Sequence, residues 1–150
     1  MIWRCRASAY RMMPSRSNGS KCTYLTDAGF VTDTIREAVA GSSALVLEAN
    51  HDVEMLKNGP YPRHLKQRIL STLGHLSNDT AGHFLTELER LPEHIVLAHL
   101  SEHNNLPQLA QDTVQNILHD NNRLQETELF VAAQNRVVAD SPLPAVLDLK

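Results

Sequence analysis

The chain has little cysteine and no long apolar stretch. Its two cysteines, Cys5 and Cys22, form no Cys-x-x-Cys pair, so neither a disulfide framework nor a zinc–thiolate site is indicated and a reducing cytoplasm is the default setting. No apolar run approaches the roughly 18 residues that cross a bilayer, which excludes a helical membrane span. A surplus of positive charge is also missing, because the formal net charge is −3. That total hides an uneven spread. Residues 1–21 hold Arg4, Arg6, Arg11, Arg16 and Lys21 and no acid, which leaves −8 for the remainder. Histidine is absent before His51, yet eight occur between His51 and His119.

An Arg- and Ser-rich, acid-poor start has the composition of an organellar transit peptide. It lacks both an amphipathic period and a signal-peptide apolar core. Residues 1–19 therefore read as a divergent or disordered leader outside the domain, residues 20–138 as the domain, and residues 139–150, with Pro142 and Pro144, as a C-terminal tail. With 150 residues, 42% of them apolar, the chain has enough material for one domain with a core.

Behind the leader, strand-like and helix-like pieces alternate. Residues 22–26 are β-branched and aromatic and stop at Asp27-Ala28-Gly29; residues 31–40 then place apolar side chains at helical spacing up to Gly41. Residues 44–48 form a second apolar run. The spacing predicts a helix opened by Pro62, with Leu65, Ile69, Leu70 and Leu73 on a buried face before Gly74, and another capped by Asn78 or Asp79. Residues 94–98 are a third strand, Pro107 starts a further helix, and residues 129–132 make a short last strand. Such alternation predicts an α/β domain with helices covering a sheet, in which strand ends gather the sites.

Four places put site-capable groups just after such an element. Asp27 follows a strand, although a turn aspartate often binds only its own backbone. Glu48, Asn50, His51 and Asp52 crowd the end of the second strand, where Asn50 or Asp52 also suits a helix cap. His75 follows Gly74, where an imidazole can satisfy loose carbonyls. His99 stands where the third strand emerges, followed by Ser101, His103, Asn104 and Asn105; neutral imidazole is the commonest metal ligand, but a single one is more often a core residue.

The set, in order, is Thr26-Asp-Ala-Gly29, Leu47-Glu-Ala-Asn-His-Asp52, Gly74-His-Leu-Ser-Asn78 and Leu97-Ala-His-Leu-Ser-Glu-His-Asn-Asn105. It resembles the C-terminal half of the metallo-β-lactamase-fold hydrolases, in the bacterial phosphodiesterase and exonuclease-like branch that is similar to ribonuclease Z. The run Gly59-Pro-Tyr-Pro-Arg-His-Leu-Lys-Gln-Arg68 fits the same branch. The resemblance implies part of a four-layered αββα fold and a centre of two divalent ions, zinc or manganese, whose shared water attacks a phosphodiester. It implies that Asp27 bridges the ions, that His99 ligates one of them, and that His75 assists the leaving oxygen. Glu48 then joins His75 in the catalytic set or orients a histidine from behind the ligands. Ser101, His103, Asn104 and Asn105 line the mouth, and Arg63, Lys66 and Arg68 offer charge to phosphate. DNA or RNA ends are the implied partners, and no membrane is. An acidic body suits this, since the ions supply the positive charge at the reacting centre.

The family's N-terminal half carries a His-x-His-x-Asp-His cluster, and nothing upstream of Asp27 matches it. The chain is therefore expected to be a C-terminal portion that holds metal weakly and is inactive alone, with a missing half-domain or a dimer partner completing it. Two alternatives are a metal-free α/β fragment acting by interaction, and an all-helical phosphohydrolase of the His-Asp type suggested by His51-Asp52. The three strand-like runs speak against the second.

Overall fold

The computed structural model describes residues 20–132 in full and, for residues 11–17, the backbone alone. Five strands form one sheet in sequential order: β1 (Arg11–Ser17), β2 (Ser20–Thr26), β3 (Ala44–Glu48), β4 (His94–Ala98) and β5 (Glu128–Val131). β1 pairs antiparallel with β2, from Arg11 opposite Thr26 to Ser17 opposite Ser20, and the pairs from β2 to β5 are all parallel. The basic leader read from composition thus contributes an edge strand, because residues 11–17 hydrogen-bond along β2. Residues 1–10, 18–19 and 133–150, which include the tail, lie outside the described residues.

Parallel neighbours need crossovers, and helices supply them. The β2–β3 connection is α1 (Asp33–Val39), and α2 (Val53–Asn58), α3 (Arg63–Ile69) and α4 (Asn78–Glu87) join β3 to β4. α5 (Pro107–Asp120) and a short 3₁₀ turn lead to β5. A crossover between adjacent parallel strands has one preferred hand, so strands laid down in sequential order bring their helices to one face. That face holds the core. Leu25, Leu45, Leu47, Ile95 and Leu97 from the sheet pack with Ile35 and Val39 of α1, Phe84 and Leu85 of α4, and Val114 and Leu118 of α5. Each such fully buried leucine or isoleucine contributes about 1.5–3 kcal/mol of transfer free energy.

The caps show why the helices begin where they do. Asp52 accepts from Met55 N at the start of α2, and Ser77, rather than the expected Asn78 or Asp79, accepts from Thr80 N to open α4. α3 departs from expectation. It ends at Ile69 with no buried residue, and Leu70 and Leu73 are 47% and 69% exposed, so the proposed apolar face is not a core face. Gly74 explains the early stop, because its backbone folds back on α3 so closely that a Cβ would lie 1.9 Å from Ile69 O.

Candidate metal centre

The parallel arrangement brings the C-terminal ends of β2, β3 and β4 side by side, and each ends on a polar group. Asp27 follows β2, Glu48 closes β3 and His99 follows β4. His75 arrives on the loop before α4. One atom from each of these four side chains lies within 4.8 Å of the others, an arrangement that can hold a cation.

Glu48 is the organiser. It is fully buried, and its Oε1 accepts from His75 Nδ1 at 2.7 Å and from His99 Nδ1 at 2.6 Å. Oε2 accepts from the backbone N–H of Ala28 at 3.0 Å and of Leu76 at 3.3 Å. Burial pushes this carboxyl up, and the bonds from His75, His99 and Ala28 outweigh burial, so its pKa falls below the ordinary 4.5. The same contact works in reverse on His99, whose bond to Glu48 raises its pKa above 6.5 against the opposing effect of burial.

These four bonds fill the roughly four acceptor directions of a carboxylate. A cation on Glu48 would have to displace one of these bonds. Glu48 fixes two imidazoles instead: with Nδ1 engaged, each ring keeps Nε2 for a metal or a proton, the arrangement by which carboxylates orient metal-binding histidines. The rings meet edge to face, with centroids 5.2 Å apart. Asp27 Oδ1 lies 3.8 Å from His99 Nδ1, and both side chains are close to half exposed, so the donors open outward. A carboxylate and an imidazole with free lone pairs, held above a saturated buried acid, fit a divalent ion.

Backbone conformation marks the same place. Asp27 and His99 adopt φ of 59° and 58°, the left-handed region that costs a side chain energy, and the only other non-glycine there among the described residues is Asn122. Gly29 and Gly74 pack the loop of Asp27 on the loop of His75, since a Cβ on Gly29 would stand 2.3 Å from Thr72 O and 2.8 Å from Gly74 N.

No family model matches the chain. It is 41% identical over 105 residues to exodeoxyribonuclease YycJ of Bacillus anthracis, covering 69% of this chain and 40% of the relative. It is 42% identical over 119 residues to exodeoxyribonuclease WalJ of Streptococcus pneumoniae, covering 79% and 42%. The metallo-β-lactamase fold protein YhfI of Bacillus subtilis superimposes with a TM-score of 0.53 at 14% identity, over 81% of this chain and 40% of that one, a likeness of fold. The chain has the metallo-β-lactamase fold over the part that superimposes. It spans about two fifths of the length of the curated relatives it matches.

Within this metallo-β-lactamase-fold chain, Asp27, Glu48, His75 and His99 converge from loops up to 72 residues apart in sequence. The remaining predicted residues divide. Ser101 is half-buried and His103 exposed, whereas Asn104 and Asn105 are 1% and 3% exposed and point inward. Asn105 and Asn78 exchange reciprocal amide hydrogen bonds of 2.8 and 3.0 Å, and Asn105 Nδ2 also donates to Ala49 O. Asn104 donates from its backbone and side chain to Ser101 Oγ, and its carbonyl accepts from Asp52 N. The two asparagines thus fasten the loops after β3 and β4 to the start of α4. Arg63 and Arg68 are exposed, and Lys66 is turned to the carbonyl of Lys57.

Residue reading missed three things. Ala28 and Leu76 act only through backbone N–H groups, which no side-chain pattern reveals. His51 is 1% exposed with neither ring nitrogen hydrogen-bonded among the described residues, and burial lowers its pKa below 6.5. Tyr61 meets His103, with ring centroids 5.8 Å apart and its hydroxyl 3.5 Å from His103 Nδ1.

Proposed function

We propose that this chain carries part of the centre of a metal-dependent hydrolase that cleaves nucleic-acid phosphodiesters at DNA ends. The observation that carries the reading is the double use of Glu48 Oε1 by His75 and His99, with Asp27 alongside. The names of its relatives, both exodeoxyribonucleases, support DNA over other phosphodiesters.

In this reading Asp27 and His99 Nε2 hold a divalent ion, zinc or manganese. When bound, that ion supplies a water of lowered pKa and neutralises phosphate charge. His75 passes a proton from Nε2 to the leaving oxygen, a service typically worth ~10²–10⁴ in rate. One nitrogen cannot hold an ion and a proton together, so His75 is the acid and not a ligand. Glu48 is a positioning residue for both rings. Ser101 and His103 face the substrate; Asn104 and Asn105 hold the loop that carries them. A two-ion centre takes more donors than these described residues supply, so weak ion binding and little turnover are expected of the chain by itself, with completion by further donors from a half-domain or a second copy. No helix among the described residues is long and apolar enough to cross a membrane, and the free thiol of Cys22 suits a cytoplasmic setting.

Calorimetric titration of the purified chain with Mn²⁺ tests this. Asp27→Ala and His99→Ala are expected to weaken ion uptake at least tenfold, and His75→Ala to change it little. Association with phosphorylated DNA ends should require the ion. Uptake indifferent to Asp27 and His99, or DNA binding indifferent to Mn²⁺, overturns the reading. Two ions per chain with brisk hydrolysis of bis-p-nitrophenyl phosphate would instead contradict the incomplete centre.

A further inference from the structure

We propose that Tyr61 and His103 form a stacking rim that takes a nucleobase of a single-stranded end beside the metal centre. This rests on the nucleolytic reading above and adds the form of the substrate. The two rings come from different loops, one between α2 and α3 and one between β4 and α5, and they meet at 5.8 Å and 44°. His103 is exposed and Tyr61 half-buried, so ring surface remains open to solvent.

The rim is held firmly. Gly59, two residues before Tyr61, lies so close to the other loop that a Cβ would stand 2.7 Å from Asn104 Oδ1. Asn104, next to His103, is buried and tied to Ser101 and Asp52. One exposed and one half-buried ring on fixed loops lose little freedom when a flat ligand arrives, which is the condition for a strong stacking platform.

Position supplies the link to the centre. His103 follows His99 by four residues, a reach of at most ~14 Å, so a base on the rim belongs to a nucleotide near the one whose phosphate meets His99. The chemistry there favours a base over a phosphate. Glu102 beside His103 is exposed and acidic while Arg63, two residues after Tyr61, is exposed and basic, so the rim carries little net charge of its own and offers a ligand chiefly its ring faces. Bases in a duplex are already stacked on each other, whereas an unpaired end offers its faces.

Fluorescence anisotropy with the Mn²⁺-loaded chain tests the rim, using a labelled thymidine octanucleotide and an abasic octamer of equal charge. The thymidine octamer should bind at least tenfold more tightly, with a preference that survives raised salt. Tyr61→Ala should remove most of that preference and leave abasic binding and Mn²⁺ uptake unchanged, and His103→Ala, made in the other loop, should also remove most of it. Tyr61→Phe should keep it, since the ring remains. Equal binding of the two octamers, or a preference untouched by both alanine variants, overturns the rim while leaving the nucleolytic reading intact. Absence of Mn²⁺-dependent binding to either octamer overturns both.

Discussion

Glu48 Oε1 and His99 Nδ1 stand 2.6 Å apart, although 51 residues separate them in the chain. The contact joins the ends of two neighbouring strands and couples a fully buried carboxylate to a half-exposed imidazole. Its value to the protein divides between stability and the orientation of a donor, and substitution can separate the two.

Glu48→Gln keeps the shape but turns an amide toward two backbone donors, Ala28 N and Leu76 N, or toward two imidazole N–H groups. The first orientation leaves buried backbone donors unpaired, at a cost of about 1–3 kcal/mol, and the second forces the imidazoles to accept at Nδ1 and so to carry their proton on Nε2, the nitrogen needed for an ion. Urea unfolding should show that loss, and Mn²⁺ affinity should fall about 10- to 100-fold. Unchanged ion affinity would show that the rings need no carboxylate to hold their aim.

Acidity should act on the metal-free chain through opposed groups. The raised pKa of His99 gives stability that is fully present below pH 6.5 and is lost as pH rises through its folded value. The lowered pKa of Glu48 gives stability present above 4.5 and lost as pH falls. His51, buried neutral, contributes stability above 6.5 that is lost on acidification. Replacing His51 with leucine removes that last loss, so the stability maximum measured in EDTA should move to lower pH. A uniform offset from pH 5 to 8 would contradict this.

The amide pair of Asn78 and Asn105 gives a third test. Each single alanine substitution strands a buried amide and should cost about 1–3 kcal/mol. Because the two share their bonds, the double variant should cost less than the sum, with a coupling of about 0.5–3 kcal/mol. Additive losses would mean that the bond Asn105 donates to Ala49 O and the one it accepts from Leu106 N carry the effect.

Gly29→Ala tests the packing of the Asp27 loop on the His75 loop. The added methyl meets Thr72 O and Gly74 N, so the loops of Asp27 and His75 must part. A loss of about 1–3 kcal/mol is expected, with weaker Mn²⁺ binding. A variant as stable as the parent would mean that these loops yield freely.

Much of the layout was legible because parallel strands buried under helices read as short apolar runs: residues 44–48 and 94–98 appear as strands on that signal alone. The centre was legible through a motif set spread over four loops, and the fold brings Asp27, Glu48, His75 and His99 together. Two kinds of feature escaped. The exposed apolar residues of α3 follow the same spacing as a core face, and periodicity does not report whether another element lies opposite. The edge strand β1 was hidden by its basic composition, although Asn18-Gly19 between paired strands is a hairpin signal. Asn104 and Asn105 look like pocket residues in sequence, where an amide that binds substrate and one that fastens a loop are the same letter.

The left-handed backbone at Asp27 and His99 has a consequence for how such a chain changes over time. Glycine would adopt both conformations freely, so at these positions the variant that folds best lacks the donor. On the proposed reading of Asp27 and His99 as metal donors, a lineage released from that role should drift toward glycine there before it loses its core. Screening variants for thermal resistance alone would select against the same two residues.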